Sequence, residues 1–574
     1  GTQSTSNTRD DLLNSRLIIM WGWNPAITIT GANTNWFLTQ AKEAGARIVA
    51  VDPRYTTSAA VFANEWIPIR PGTDGAALLA MAYVIIKENI QDQHFLDTYT
   101  IGFDRFKDYV TGVEDGVAKT PAWAEAISGV PAATIDSLAR EYATTKPAAL
   151  VAGIAPGRTA FGEQYHRIAI TLAAMTGNVG IHGGDAAGRA WESVVGGYPY
   201  KLSRGGQRAM VNPAEANAPP TPPGAPPAYG PWRVHYCDVP DFILKGKAGG
   251  YPADVKMISV SNCGYLSAHP NVNRIIQALK SKTVEFIFVQ EQFMTPTVKF
   301  ADIVLPTNTY MERNDIAVGV GLRFYGYQNK AIESLGESKS HLEMGQLLAS
   351  RLGIAKEFGD GTDETLLKEM MKGSEVPDYE QFKKKGLYRL ESSESYVAFK
   401  KQIEDPDNNP FPTPSGKIEI YSQRLADMNW PNVPPIPKYI ETWESRNDPL
   451  ASKYPLQLIT THFRTRANTQ FDTIPWLKEL EPQAVLLNSD DARARGISNG
   501  DMVRVFNDRG EMVIPASVTE RIIAGVVDVP QGAWYQPDEN GVDRGGCANI
   551  LTRDAHSPGG AFPYNTGLVQ VQKA

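Results

Sequence analysis

One order of elements, strand, small polar turn, helix, strand, occurs twice in this chain, and it limits the fold more than any other feature. The apolar run RLIIM (16–20) leads into WGWNPAITITG (21–31), and VKMI (255–258) leads into SVSNCGYLSAH (259–269). Residues 24–68 lie over 262–306 without a gap, pairing Asn24 with Asn262, Asn33 with Asn271, Lys42 with Lys280, Val51 with Val289 and Pro68 with Pro306. One added gap sets Asp52 over Glu291 and Thr56 over Thr295. That version is preferred, because a carboxylate then ends the second strand in both copies. In an open parallel sheet, ligands bind beyond the carboxyl ends of the strands. A small polar turn there lets backbone N–H groups and a helix N-terminus face a phosphate. An acid after the next strand can accept hydrogen bonds from a ribose or a base edge. The doubled unit therefore suggests two nucleotide-like ligands, one per half.

The alternative is a duplicated fold without such ligands, as in two-lobed solute-binding proteins. Asn after a strand and Asp before Pro are common turn formers, and neither turn carries G-x-G-x-x-G, which argues against ordinary NAD binding. Around the repeat, strand-like runs alternate with helical ones. RLIIMWG, ARIVAVDP and PAALVAGIAPG read as strands, and NWFLTQAKEAG and DGAALLAMAYVIIKEN as helices. PAWAEAISGVPAATIDSLAREYATT reads as helix, turn, helix. The alternation restarts at VKMISVSN and runs through TVEFIFVQEQ and ADIVLPTN, with a later helix in KSHLEMGQLLASRLGI. Such alternation argues a parallel sheet covered on both faces. NPAEANAPPTPPGAPPAYGPW (212–232) reads as a surface loop or crossover, and 374–445 as polar and loop-rich. From about 446 short strands dominate, and FNDRGEM between two alternating runs signals a hairpin. The expected class is α/β, with two pseudo-symmetric Rossmann-like parallel-sheet halves and a C-terminal β-barrel. The expected domains are 1–190, 191–445 and 446–574.

At 574 residues the chain is too long for one core. A net charge of −7 without a basic cluster argues against nucleic acid. Cys237, Cys263 and Cys547 are scattered, with no C-x-x-C pair, so no zinc or iron–sulfur site is evident in this chain. No apolar run reaches the roughly 18 residues of a membrane span, and ALLAMAYVII (77–86) reads as a buried helix. The polar start GTQSTSNTRDD leads almost directly into a core strand, so further sequence is expected upstream of Gly1.

Longer strings carry a resemblance. NEWIPIRPGTDGAALLA (64–80), WGWNPA, VDPRYT, TGNVGIHGG (176–184) and KFADIVLPTNTYMER resemble the molybdopterin oxidoreductases. TPSGKIEIYS (413–422), LNSDDARARGISNGDMVRVFNDRGE and GVVDVPQGAWYQPD resemble the C-terminal dinucleotide-binding domain of that superfamily. Within it, the chain resembles the catalytic A subunits of membrane-anchored dimethyl sulfoxide reductases. The resemblance implies molybdenum held by two molybdopterin guanine dinucleotides and oxygen-atom transfer from an S-oxide or N-oxide in anaerobic respiration. It also implies an iron–sulfur electron-transfer subunit, a membrane-anchor subunit and a periplasmic or membrane-associated location. Other chemistry of the superfamily (thiosulfate, selenate, nitrate or formate), or a non-catalytic scaffold of the same fold, are the alternatives.

Carried over by motif, the first half would bind one dinucleotide through Asn24, Ile27, Thr28, Val51, Asp52, Gly72, Thr73 and Asp74, with Ile154, Ala155 and Arg158 beside the pterins. Asp74 could equally serve as a helix N-cap, and Arg158 as half of a plain ion pair. An Arg fork suits pterin or phosphate oxygens. The second half would use Asn262, Leu266 or Ser267, Gln290 and Glu291. The C-terminal domain would add His462, Asn468, Thr469, Gln470, Asn549, Tyr564 and Asn565. In the family, a [4Fe–4S] cysteine motif and the metal-ligating side chain precede the point where this chain begins. No catalytic residue and no metal ligand is therefore assigned within it.

Overall fold

A computed structural model describes residues 5–29, 33–188, 234–251, 253–318, 324–358, 361–390 and 394–574. The Pro-rich stretch 212–232 lies outside them. By internal packing the chain forms two compact units, Gly1–Val195 with Glu394–Ala574, and Gly196–Ser393.

The first unit holds a parallel sheet of β1 (Leu17–Trp21), β2 (Arg47–Val51), β3 (Glu65–Ile67) and β4 (Ala148–Ala152), in the order β3-β2-β1-β4. β1 is central and buried along its whole length, which is why it reads as one unbroken apolar run. Its side chains alternate between two cores. Leu17, Ile19 and Trp21 pack with α3 (Asp74–Glu88) and α4 (Gly162–Met175). Ile18 and Met20 pack with Leu38 and Ala41 of α1 (Thr34–Glu43) and Ala59 and Phe62 of α2 (Thr57–Phe62). Gly45, at φ +93°, stops α1 where the sequence pattern placed its end. The loop-rich stretch after 394 packs with this unit. Ile418–Glu419 pairs in parallel with Thr100–Ile101, and the Arg167 guanidinium donates to the carbonyls of Pro434 (2.8 Å) and Pro435 (3.0 Å).

In the second unit, β5 (Met257–Ser261), β6 (Phe286–Glu291) and β7 (Ile303–Pro306) form a three-stranded parallel sheet. Helix α5 (Val272–Leu279) buries Val272, Ile275, Ala278 and Leu279, spaced by three and four residues as an amphipathic helix requires. An antiparallel sheet of Asp315–Val318, Phe324–Gln328 and Leu387–Arg389 packs Tyr325 and Tyr327 onto Leu367, Met371 and Phe382.

The C-terminal strands close a barrel that belongs to the first unit: β8 (Leu456–Ile459), β9 (Val485–Asn488), β10 (Met502–Asn507), β11 (Gly510–Thr519), β12 (Val526–Asp528) and β13 (Leu568–Lys573). β10 and β11 are the hairpin read from FNDRGEM, with Asn507 opposite Gly510 across a two-residue turn. Among the described residues no helix is long and apolar enough to cross a membrane.

Candidate functional site

The site of the first unit is built at the carboxyl ends of β1, β2 and β4. Past Trp21, Gly22 turns away at φ +56° while its N–H donates to the Val51 carbonyl at 2.8 Å. Gly153, just beyond β4, backs onto this turn so closely that a Cβ there would sit 1.7 Å from the Gly22 carbonyl oxygen. The turn then makes one short helical loop, in which the Asn24 carbonyl accepts from Ile27 N (3.1 Å) and Thr28 N (2.8 Å). The Asn24 side chain is occupied in shaping the loop, since its Oδ1 accepts from the Ser58 hydroxyl at 2.7 Å. Val51 is a core residue, so its backbone alone faces the turn.

Asp52 follows β2. Its carboxyl accepts from Arg54 N at 2.9 Å, and burial, only partly offset by that bond, pushes its pKa up to about 7. Gly72 takes φ +76° against Thr442, where a Cβ would approach to 2.9 Å. Thr73, not Asp74, is the N-cap residue of α3; its hydroxyl donates back to the Arg70 carbonyl at 2.7 Å. Asp74 is buried and accepts from Trp21 Nε1 at 2.8 Å, and burial lifts its pKa to about 6. The carboxyl therefore faces the end of β1 rather than capping the helix. Ile154 and Ala155 lead into the short turn Pro156–Arg158, and the Arg158 guanidinium lies 5.1 Å from the Phe562 ring centre.

The barrel brings its candidate loops to this same edge. Arg54 donates to Asp528, which is fully buried at the end of β12, and to the Thr461 hydroxyl; that hydroxyl in turn donates to Asp528 at 2.7 Å. Tyr55 N donates to the Arg521 carbonyl at 2.9 Å, and Ile523 N to the Pro53 carbonyl at 3.2 Å. His462 follows Thr461, with Gln531 Nε2 at 3.1 Å from Nδ1 and 3.3 Å from Nε2; burial lowers its pKa. Asn565 is bound on both sides: its N–H donates to the Arg158 carbonyl at 2.9 Å, and its Oδ1 accepts from Thr460 N at 2.9 Å. Asp52, Arg158, His462 and Asn565 are thus linked through one hydrogen-bonded seam. Tyr564 stacks on Phe562. Asn468, at φ +55°, and Gln470 are exposed on the 463–474 loop, where Thr469 accepts from Trp534 Nε1 at 2.7 Å. Asn549 accepts from the Thr552 hydroxyl at 3.0 Å.

In the second unit, Asn262 takes φ +40° directly after β5; its N–H donates to the Gln290 carbonyl at 2.9 Å and its Oδ1 accepts from the Thr307 hydroxyl at 3.1 Å. Gln290 Oε1 accepts from Ser261 Oγ at 3.2 Å, and Glu291 Oε1 accepts from Gln292 N at 2.8 Å. Leu266 is fully buried, so its side chain belongs to the core; Ser267, next to it, is buried as well.

The hydrogen bonds also fix the register of the repeat. Gly22 N to Val51 O matches Asn262 N to Gln290 O. Asn64 and Ile48 exchange two bonds (2.7 and 2.8 Å), and so do Asp302 and Ile287 (2.8 and 2.7 Å). Asp52 therefore falls over Glu291, as the gapped alignment has it. At the first turn, however, Asn262 stands where Gly22 stands, so the Asn24/Asn262 identity pairs residues two places apart in the fold. Sequence reading missed Ser58 and Thr297, whose hydroxyls bond the two turns. The only signal for them was a polar side chain two residues after the aligned Thr56 and Thr295.

Residues 1–351 match the family model described as "Molybdopterin oxidoreductase", and residues 456–566 the one described as "Molydopterin dinucleotide binding domain". The chain is 39% identical, over all of its length and 73% of the relative's, to "Dimethyl sulfoxide reductase DmsA" of Escherichia coli K12. It is 32% identical to "Dimethyl sulfoxide/trimethylamine N-oxide reductase" of Cereibacter sphaeroides, over 94% of this chain and 69% of the relative. Acetylene hydratase from Pelobacter acetylenicus shares the fold, with a TM-score of 0.74 at 22% identity over 100% of this chain and 79% of that one. Sheet, barrel and sequence agree: the chain belongs to the molybdopterin oxidoreductase family and is an oxidoreductase built around a molybdenum–molybdopterin cofactor.

Proposed function

We propose that this protein reduces an S-oxide or N-oxide by oxygen-atom transfer, with molybdenum held by two molybdopterin guanine dinucleotides, one in each α/β half. The observation that carries the reading is the duplicated strand-end unit, in which Asp52 and Glu291 occupy equivalent places. The names of the relatives supply the substrate class.

The residues of the first unit fit such a group. Asp52 and Asp74 are acids whose ionised forms are only partly compensated by the donors they have, so each favours a further N–H or O–H donor of the kind a guanine edge or a ribose offers. Gly72 keeps the loop before α3 free of a Cβ. Arg158 and the 460–470 loop supply polar contacts on the barrel side. When bound, the group would supply the two-electron chemistry that converts the S-oxide or N-oxide to the sulfide or amine, with two electrons and two protons consumed and water released. This chain's part is to orient the group and to keep its surroundings dry. His462, whose charged form burial disfavours, would offer the pterin side a hydrogen-bonding ring. The seam from Arg54 to Asp528 closes the edge where the barrel meets the sheet.

By the same reading, electrons arrive through an iron–sulfur subunit, and a separate anchor subunit holds the complex at the membrane, facing the periplasm. An anaerobic assay of the full-length protein with a reduced viologen dye tests the function. Dye oxidation on adding dimethyl sulfoxide or trimethylamine N-oxide, with sulfide or amine formed in equal amount, is the expected result. Turnover of nitrate or formate with neither oxide reduced would contradict it.

A further inference from the structure

Both halves hold the turn after their first strand with a hydroxyl sent from the element after their second strand. In the first half, Ala26 N donates to Ser58 Oγ at 2.9 Å. In the second, Leu266 N donates to Thr297 Oγ1 at 3.0 Å. Both hydroxyl residues are buried, Ser58 at 0% and Thr297 at 1% exposure. The loops they hold are also alike: the Asn24 carbonyl accepts from Thr28 N at 2.8 Å, and the Gly264 carbonyl from Ala268 N at 2.9 Å. Ala26 and Leu266 thus occupy the same place, two residues past the carbonyl that closes a single hydrogen-bonded turn. The first N–H groups of such a turn have no partner within it. A side-chain oxygen normally supplied by the cap residue would satisfy one. Here Asn24 has its Oδ1 committed to Ser58, and Gly264 has no side chain to offer. The cap comes from elsewhere in both halves.

We infer that Ser58 and Thr297 are paired positioning residues, each fixing the turn that faces one of the two dinucleotides. This rests on the two-dinucleotide reading above. The hydroxyls touch no ligand themselves. They set the path of the residues behind which Ile27–Thr28 and Ser267–Ala268 follow, and the group that Ser58 and Thr297 share, the hydroxyl, is the one that makes the bond in both halves.

The test uses the full-length, cofactor-loaded protein and the variants Ser58→Ala, Thr297→Val and Thr297→Ser. The readouts are guanine nucleotide released per chain after graded urea and desalting, and amide hydrogen exchange. Leaving a buried N–H without its acceptor weakens retention by about tenfold to a hundredfold. Ser58→Ala and Thr297→Val should therefore each lose one nucleotide at urea concentrations where the parent keeps two, and Thr297→Ser should keep both. The Ala26 and Leu266 amides should be protected in the parent, a measurement that needs no variant to fold. If the parent holds two nucleotides and the variants hold them as tightly, or if Thr297→Ser loses nucleotide as readily as Thr297→Val, the inference is overturned alone. Rapid exchange at both amides in the parent overturns it too. A parent with fewer than two nucleotides overturns the two-dinucleotide reading and the inference together.

Discussion

Asp52 and Asp74 hold their protons far above the ordinary carboxyl value of 3.8, to about 7 and about 6, because burial disfavours the charge. Below 3.8 both acids are protonated whether the chain is folded or not. Between 3.8 and about 7 the unfolded chain releases protons that the folded chain keeps. The folded state then binds more protons, so stability falls as pH rises through this window and levels off above it. The urea midpoint of cofactor-free protein should accordingly drop from pH 4 to pH 7, and Asp52→Asn should flatten part of that slope; an unchanged slope would show that burial does not govern the acid. In the loaded protein Asp52→Ala should weaken dinucleotide retention by about tenfold to a hundredfold, the worth of a bond to a charged group. The residue that lies as far past Pro306 as Asp74 lies past Pro68 behaves oppositely: backbone N–H bonds from Thr309 and Leu335 hold Glu312 down at about 2. Similar carboxyls in matching places thus differ in charge because one is buried without enough donors and the other is supplied with them, a distinction no residue type carries in the sequence.

At the scale of elements, the loops depend on close backbone approaches. Gly532, at φ +97°, meets the Asn468 carbonyl, and a Cβ there would lie 1.9 Å from that oxygen. Gly532→Ala should displace the 463–474 loop and lower cofactor content while leaving the barrel folded, seen as an unchanged far-ultraviolet spectrum with less bound nucleotide. Normal cofactor content in the variant would show that the loop has no such role. Strands and helices were legible wherever period and burial coincided: RLIIM as β1, DGAALLAMAYVIIKE as α3, FNDRGEM as a hairpin. Register at the turns was not. Asn24 and Asn262 align by identity, yet one accepts from Ser58 and the other, at positive φ, from Thr307, because the last ladder bond of the strand, not residue type, fixes where the turn begins. The role of Asp74 was half legible, since the start of α3 could be read but not the bond from Trp21, 53 positions away.

For the whole molecule, a buried ion pair helps join the barrel to the first sheet, beside the backbone bonds of Tyr55 with Arg521 and of Ile523 with Pro53. Asp528 is fully buried, and Arg54 with Thr461 supplies its hydrogen bonds. Arg54→Met should cost about 3–5 kcal/mol in urea unfolding, because it strands a buried acid; Arg54→Met with Asp528→Leu should recover much of that, since an apolar pair can replace a buried ionic one. A double variant no more stable than the single would mean that the pair does not dock the barrel. This contact joins residues 474 positions apart, and neither VDPRYT nor GVVDVPQ signalled it. The barrel itself was legible from its short strands, but its place against β2 rests on this pairing together with backbone bonds such as Tyr55 N to the Arg521 carbonyl. The proposed function stands on the claim that the duplicated strand-end unit binds two dinucleotides around one metal. Acid release of nucleotide from the full-length protein, set against its molybdenum content, tests that claim most directly. Two guanine nucleotides for each molybdenum in each chain are predicted; one or none would contradict it.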